Sequence, residues 1–206
     1  MSLAKRRADG AGLIEWMHAG EDFEAATALL SIARHQLAPR KLYAFTASAT
    51  KAAVPGLPSK LRSATTHALI AAGFKPSSTQ NYMLCDLDDL SAKINDHVAE
   101  VTYLDDFQGW RLAVKNSEGR VLANALLSHP DADSGTATLW SLFVHPAYRC
   151  QGIGHRLLSQ CLSIAGMTGA QRVAAYVDPS DQSFTHFLSA HEFDVIDYLS
   201  VYHHAS

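Results

Sequence analysis

The sequence predicts an α/β (α+β) protein, and three observations carry that reading. Gly109 to Lys115, Arg120 to Leu127 and Thr136 to Val144 read as consecutive strands with short links, the pattern of an antiparallel meander. Helical spacings then alternate with short apolar strands, both after this meander and in the first half of the chain. The two halves also share an order of elements: helix, strand, helix, a Gly-Phe or Glu-Phe pair, strand.

Taken in order, Glu21 to Gln36 is expected to be a helix. Phe23, Ala26, Leu29, Leu30 and Ala33 share one face, with Asp22 and Glu24 at its start and Arg34 and His35 at its end. Lys41 to Thr46 reads as a short strand, and Ala47 to Lys60, with Pro55, Gly56 and Pro58, as a loop. Arg62 to Ala72 is a second helix closed by Gly73, and Asn81 to Leu87 a strand. The polar stretch Asp88 to His97 reads as a short helix or linker. Asn116-Ser117-Glu118-Gly119 supplies the turn of a hairpin, and Pro146 stops the third meander strand. Gly152 to Ala165 is a helix with Leu157, Leu158, Cys161, Leu162 and Ala165 on one face. Arg172 to Val177 is a buried strand, Gln182 to Ala190 a helix and Val195 to Tyr202 the last strand.

A short repeat accompanies the shared order. Leu30-Ser31-Ile32-Ala33 recurs as Leu162-Ser163-Ile164-Ala165, and Thr66-His67-Ala68-Leu69 as Thr185-His186-Phe187-Leu188. The expected organisation is therefore a partial or degenerate copy over 1–88 and a complete domain over 89–206.

Composition excludes several classes. The 206 residues are 48% hydrophobic, ample for a core, and the formal net charge of -3 offers no basic field for nucleic acid. Ala4-Lys5-Arg6-Arg7 reads as a solvated tail. Cys85, Cys150 and Cys161 are odd in number and lack paired spacing, so neither a disulfide framework nor a zinc site is expected. His203 and His204 read as an exposed tail without a third ligand, and no metal is expected. No apolar run approaches the roughly 20 residues a bilayer requires, and the N-terminus lacks the pattern of a secretory signal. The expectation is a cytoplasmic protein without a membrane partner.

The chemistry is concentrated in Leu142-Phe143-Val144-His145-Pro146-Ala147-Tyr148-Arg149-Cys150-Gln151-Gly152-Ile153-Gly154-His155. A strand ends at a proline, and Arg-x-x-Gly-x-Gly leads into a helix. The glycines let a ligand approach the backbone, and the first amides of a helix have no partner within it. With the helix dipole, they favour an anion such as a pyrophosphate. Arg149 and Arg156 add positive charge. A dinucleotide fingerprint does not fit, because Leu157 stands where its third glycine would be.

This stretch resembles motif A of the GNAT superfamily of N-acetyltransferases, and the likeness extends over about Gly109 to Tyr202. It implies the GNAT fold, a mixed and mostly antiparallel sheet flanked by helices, with the first half as a truncated copy. It implies acetyl-CoA as cosubstrate and a primary amine of a small molecule or peptide as acceptor. The pyrophosphate would sit on the backbone of Arg149, Cys150, Gln151, Gly152, Ile153, Gly154 and His155. The pantetheine arm would pair with Leu142, Phe143 and Val144, with the Val144 N–H as oxyanion donor, and Asp181 would meet the arm from the penultimate helix. Homodimers are common for this fold.

Departures from the family are equally legible. The usual proton-donating tyrosine falls on Leu188, the usual glutamate on Thr138, and the glycine of the Gly-Phe pair on Glu192. Tyr198, Tyr202 and His186 are the remaining candidates for the acid or base. A non-catalytic acyl-CoA sensor or partner module is the alternative expectation. Trp110, Trp140 and Phe143 read as core aromatics on a pleated sheet, with an acceptor pocket as the other reading. Arg7-x-x-Gly10-x-Gly12 repeats the letters of the loop but is discounted, because no strand is expected before it.

Overall fold

The computed structural model describes residues 1–5, 10–46, 56–87 and 98–204. In chain order the elements are β1 (Ser2–Lys5), β2 (Gly12–Trp16), α1 (Phe23–Leu37), β3 (Leu42–Ala44), β4 (Leu57–Pro58), α2 (Ser63–Ala71), β5 (Lys75–Asp86) and β6 (Glu100–Leu104). They continue with β7 (Gly109–Lys115), β8 (Val121–Ser128), β9 (Thr136–Val144), a 3-10 turn (Pro146–Tyr148), α3 (Ile153–Met167), β10 (Arg172–Val177), α4 (Gln182–Ser189) and β11 (Asp194–His204). The expected linker 88–97 and residues 47–55 of the expected loop lie outside the described residues.

The chain divides into two compact units. The first comprises Met1–Tyr82, Asp178–Ser180 and Val195–Ser206, the second Met83–Val177 and Asp181–Asp194. The boundary expected at 88/89 falls among undescribed residues, and the units divide within β5 and at the start of β11.

In the first unit the strands run in the order β1, β2, β3, β11, β5, with β4 beside β11. β1 and β2 are antiparallel, β2 and β3 parallel, and β11 is antiparallel to β3. Asp22 starts α1 by accepting the Ala25 N–H at 2.8 Å. Ala26, Leu30, Ala33 and Leu37 recur along the buried face of α1 and join Ile14, Leu42, Leu69, Phe74 and Tyr202 in one core. The sequence reading passed over β1 and β2. A strand does precede Gly10 and Gly12, so the stated reason for discounting that motif is corrected. The motif fails for another reason: Gly12 opens a strand instead of a helix, and a Cβ there would lie 2.7 Å from Leu42 Cδ2.

The second unit orders its strands β5, β10, β9, β8, β7, β6. β7 to β9 form the expected antiparallel meander, β6, a strand not expected from the sequence, adds antiparallel to β7, and β10 runs parallel to β9. α3 lies on the face that carries Leu112, Ala125, Leu127, Leu139, Val173 and Ala175. The alanines keep this face low, and the helix fills it with Leu157, Leu158, Cys161, Leu162 and Ala165. Each fully buried leucine contributes about 2 kcal/mol. Gln160, also buried, accepts the Val98 and Ala99 N–H groups and donates to the Ala99 carbonyl, fixing the chain that enters β6.

α2 and α4 end alike. Gly73 has φ 85° and the Phe74 N–H reaches the Leu69 carbonyl at 3.0 Å; Glu192 has φ 66° and the Phe193 N–H reaches the Leu188 carbonyl at 3.2 Å. Glutamate is strained in this left-handed region, where glycine is not. Glu192→Gly should therefore raise stability by about 1 kcal/mol, read as a higher denaturant midpoint at constant slope; an unchanged or lower midpoint contradicts the strain.

Candidate active site

The site is built at the end of β9. Pairing of β9 with β10 runs from Thr136 to Leu139, opposite Arg172 to Ala175. Opposite β8, the register jumps from Leu127↔Leu139 to Leu126↔Ser141, which leaves Trp140 as the extra residue of a bulge. Beyond the bulge, β9 pairs with β8 alone among the described residues. The His145 N–H bonds the Leu122 carbonyl at 2.8 Å. Antiparallel strands alternate their bonding side, so the backbone groups of Leu142 and Val144 face away from β8. The Val144 carbonyl does so visibly, accepting from Arg149 Nε at 3.0 Å. An edge of open peptide groups results, of the kind an extended amide-bearing arm pairs with.

The turn that follows is tight. His145 Nδ1 accepts the Ala147 N–H at 3.3 Å, and Cys150 and Gly152 take positive φ of 58° and 75°. Gly152 is the N-cap of α3, no side chain caps the helix, and nothing lies within 4 Å of where a Gly152 Cβ would stand. The first amides of a 15-residue helix thus face open space, which suits a diphosphate. By contrast, α1 is capped by the Asp22 carboxylate, which puts negative charge where an anion would bind.

Gly154 lies inward of this turn, its missing Cβ 3.5 Å from Val144 Cγ2 and 3.6 Å from the Phe187 ring. His155 Nδ1 is 2.6 Å from His191 Nε2, and His191 Nδ1 is 2.7 Å from the Phe187 carbonyl. A carbonyl only accepts, so His191 donates there through Nδ1–H, and its Nε2 is left to accept the His155 Nδ1–H. Nothing in sequence spacing pointed to this pair.

The remaining expected residues are placed as follows. Leu142, Phe143, Val144, the run Arg149 to His155, and Asp181 all belong to the second unit. Asp181 is the N-cap of α4, its carboxylate accepting the Phe184 N–H at 3.0 Å. His186 is exposed in the last turn of α4. Tyr198 and Tyr202 belong to the first unit. Tyr198 is 40% exposed with Lys60 Nζ 4.8 Å from its ring centre, whereas Tyr202 is 2% exposed within the core. Leu188 is fully buried, and the Thr138 N–H donates to Ser128 Oγ at 2.9 Å. The core reading of the aromatics is corrected for two of them: Trp140 is 50% and Phe143 47% exposed. Trp110 is half-buried between Tyr103 and His129.

Burial pushes the Cys161 thiol up to about 12, and burial with nearby Glu192, Asp86 and Asp194 does the same for Cys85. Cys150 is exposed in the turn. A disulfide reagent should therefore titrate one thiol in the native protein and three after denaturation. Two fast native thiols would contradict this placement. Among the described residues, no group of three or more His, Cys, Asp or Glu is arranged to hold a metal, and no helix is long and apolar enough to cross a membrane.

The fold and site together define an α/β domain with an anion-ready helix start beside an open strand edge. The sequence model of the acetyltransferase (GNAT) family matches residues 81–193, and the chain belongs to that family. No curated protein matches the sequence. A tandem GNAT protein from the clavulanic acid biosynthesis pathway matches with a TM-score of 0.63 at 13% identity, over 98% of this chain and 77% of that one. A GCN5-related N-acetyltransferase from Kribbella flavida gives 0.61 at 14% identity, over 90% and 77%. One from Sphaerobacter thermophilus gives 0.58 at 12% identity, over 98% and 74%. At these identities the likeness establishes the GNAT fold, an α/β sheet flanked by helices.

Proposed function

We propose that the protein is an N-acetyltransferase, moving the acetyl group of acetyl-CoA to a primary amine of a small molecule or peptide in the cytoplasm. One observation carries the reading: the uncapped start of α3 at Gly152 stands beside the outward backbone of Leu142 and Val144. The α3 amides from Gly152 to His155 hold the pyrophosphate, and β9 pairs with the pantetheine arm. The amine nitrogen attacks the thioester carbonyl at the far end of the arm, and its developing oxyanion accepts an outward-facing N–H of β9. A C–N bond forms, the C–S bond breaks, the nitrogen loses a proton and the thiolate gains one. His186, exposed on α4 of the second unit, is the candidate proton carrier; Tyr198 and Tyr202 belong to the first unit and are not assigned the role. Residues 1–88 are read as the partial or degenerate copy, an assignment supported by the matched α2 and α4 endings and by two parallel strand–helix–strand units, β2–α1–β3 and β9–α3–β10.

The fully buried Leu188 at the family's tyrosine position favours a second reading, a module that binds acyl-CoA without turnover. Calorimetric titration with acetyl-CoA, paired with thiol release across an amine library, separates the two. Binding with amine-dependent thiol release supports the enzyme. Binding alone supports the module, and absence of binding removes both. One acetyl-CoA should bind per chain, because Asp22 closes the corresponding helix start of the first unit; a stoichiometry of two would refute that assignment.

A further inference from the structure

On the sheet face opposite α3, Glu100, Arg111, Lys115, Asn124 and Leu126 line a groove of about 270 Å³. Lys115 Nζ is paired with Glu100 at 2.5 Å. Among the described residues Arg111 has no carboxylate partner, so the groove keeps one positive charge free. The strand register sets Arg111 opposite Leu126 and Leu126 opposite Ser141. A single row therefore crosses from β7 to β9, about 10 Å at ~4.8 Å per strand. Ser141 follows the bulge at which β9 parts from β10, the point where a bound thioester would present its acetyl group. Beside it the exposed Trp140 ring lies 6.1 Å from Tyr176 and 6.4 Å from Phe107, an aromatic surface that attracts an ammonium ion.

We propose that Arg111 is the anion subsite of the acceptor. The acceptor is then an amine with a carboxylate about 10 Å from its nitrogen, such as a short peptide with a free C-terminus. The carboxylate forks onto the Arg111 guanidinium while the amine reaches Trp140 and Ser141. A monoanion suits the groove better than a phosphate dianion, because Glu100 neutralises Lys115 and repels a second negative charge. The assignment rests on the acetyltransferase reading above.

Triglycine spans about 10 Å from amine to carboxylate when extended, and its C-terminal amide is the matched control. Binding of each to the coenzyme A complex is measured by ligand-observed NMR for wild type, Arg111→Ala and Arg111→Lys. Triglycine should bind wild type about tenfold more tightly than its amide. Arg111→Ala should erase that preference, Arg111→Lys should keep part of it, and affinity for coenzyme A should be equal in all three. Equal affinity of acid and amide for wild type, a preference that survives in Arg111→Ala, or no binding of triglycine would each overturn the assignment. Failure of wild type to bind coenzyme A would instead tell against the acetyltransferase reading.

Discussion

Gly154→Trp should abolish acetyl-CoA binding while leaving the protein folded. The glycine stands in the first turn of α3, where its absent Cβ faces the end of β9 on one side and α4 on the other. A Cβ alone would sit at ordinary contact distance from Val144 and Phe187, so Gly154→Ala should bind within a few-fold of wild type. An indole has no room between those neighbours and must project along the strand edge and over the helix amides. It would take the space of both the pyrophosphate and the arm, a loss of at least about 100-fold, as expected when several charge-assisted hydrogen bonds go together. Calorimetry reads the affinity and far-ultraviolet circular dichroism the fold. Equal binding by wild type and Gly154→Trp would remove the site from this turn.

Asp197→Ala should be the most destabilising change on β11. The side chain is completely buried, and its carboxylate collects three backbone N–H groups: Lys60 at 2.8 Å, Leu61 at 2.9 Å and Tyr198 at 2.6 Å. These bonds tie the turn between β4 and α2 to β11. Alanine leaves the three donors without an acceptor, at a cost of about 3 kcal/mol. Asp197→Asn keeps one acceptor oxygen and should cost about half as much. Urea unfolding gives both values. A loss below about 1 kcal/mol for alanine would mean that water replaces the carboxylate and that the turn is not held by it.

Much of the second half was legible because its signals are local. β7, β9 and β10 begin and end where their patterns predict, and α3 starts one residue after the glycine that marks it. The turn between β7 and β8 is written in Asn116, whose side chain accepts the Glu118 and Arg120 N–H groups. Three classes of feature were not legible. β1 and β2 are short, and the glycines around them gave a loop-like signature although Gly12 is a packing residue. β6 exposes Glu100 to Tyr103, so it lacks the apolar alternation that reveals a half-buried strand. Contacts between distant positions carry no spacing signal at all: His155 with His191, Gln160 with Ala99, and Trp140 with Tyr176. The turn between β9 and α3 was readable because its residues are contiguous. The row Arg111, Leu126 and Ser141 was not, because it takes one residue from each of three strands.

The placement of β11 has a consequence for how the protein is made. In the first unit this strand lies between β3 and β5, so an interior strand of that sheet comes from a segment made long after its neighbours. A growing chain holding only residues 1–88 would display two unfilled strand edges, which invite association with other chains. The late arrival also gives the first unit contacts of large sequence separation, such as Ala44 with Tyr202, and such contacts slow folding. Expressing 1–88 by itself should therefore yield aggregate, and supplying a peptide of 194–204 in trans should recover soluble material.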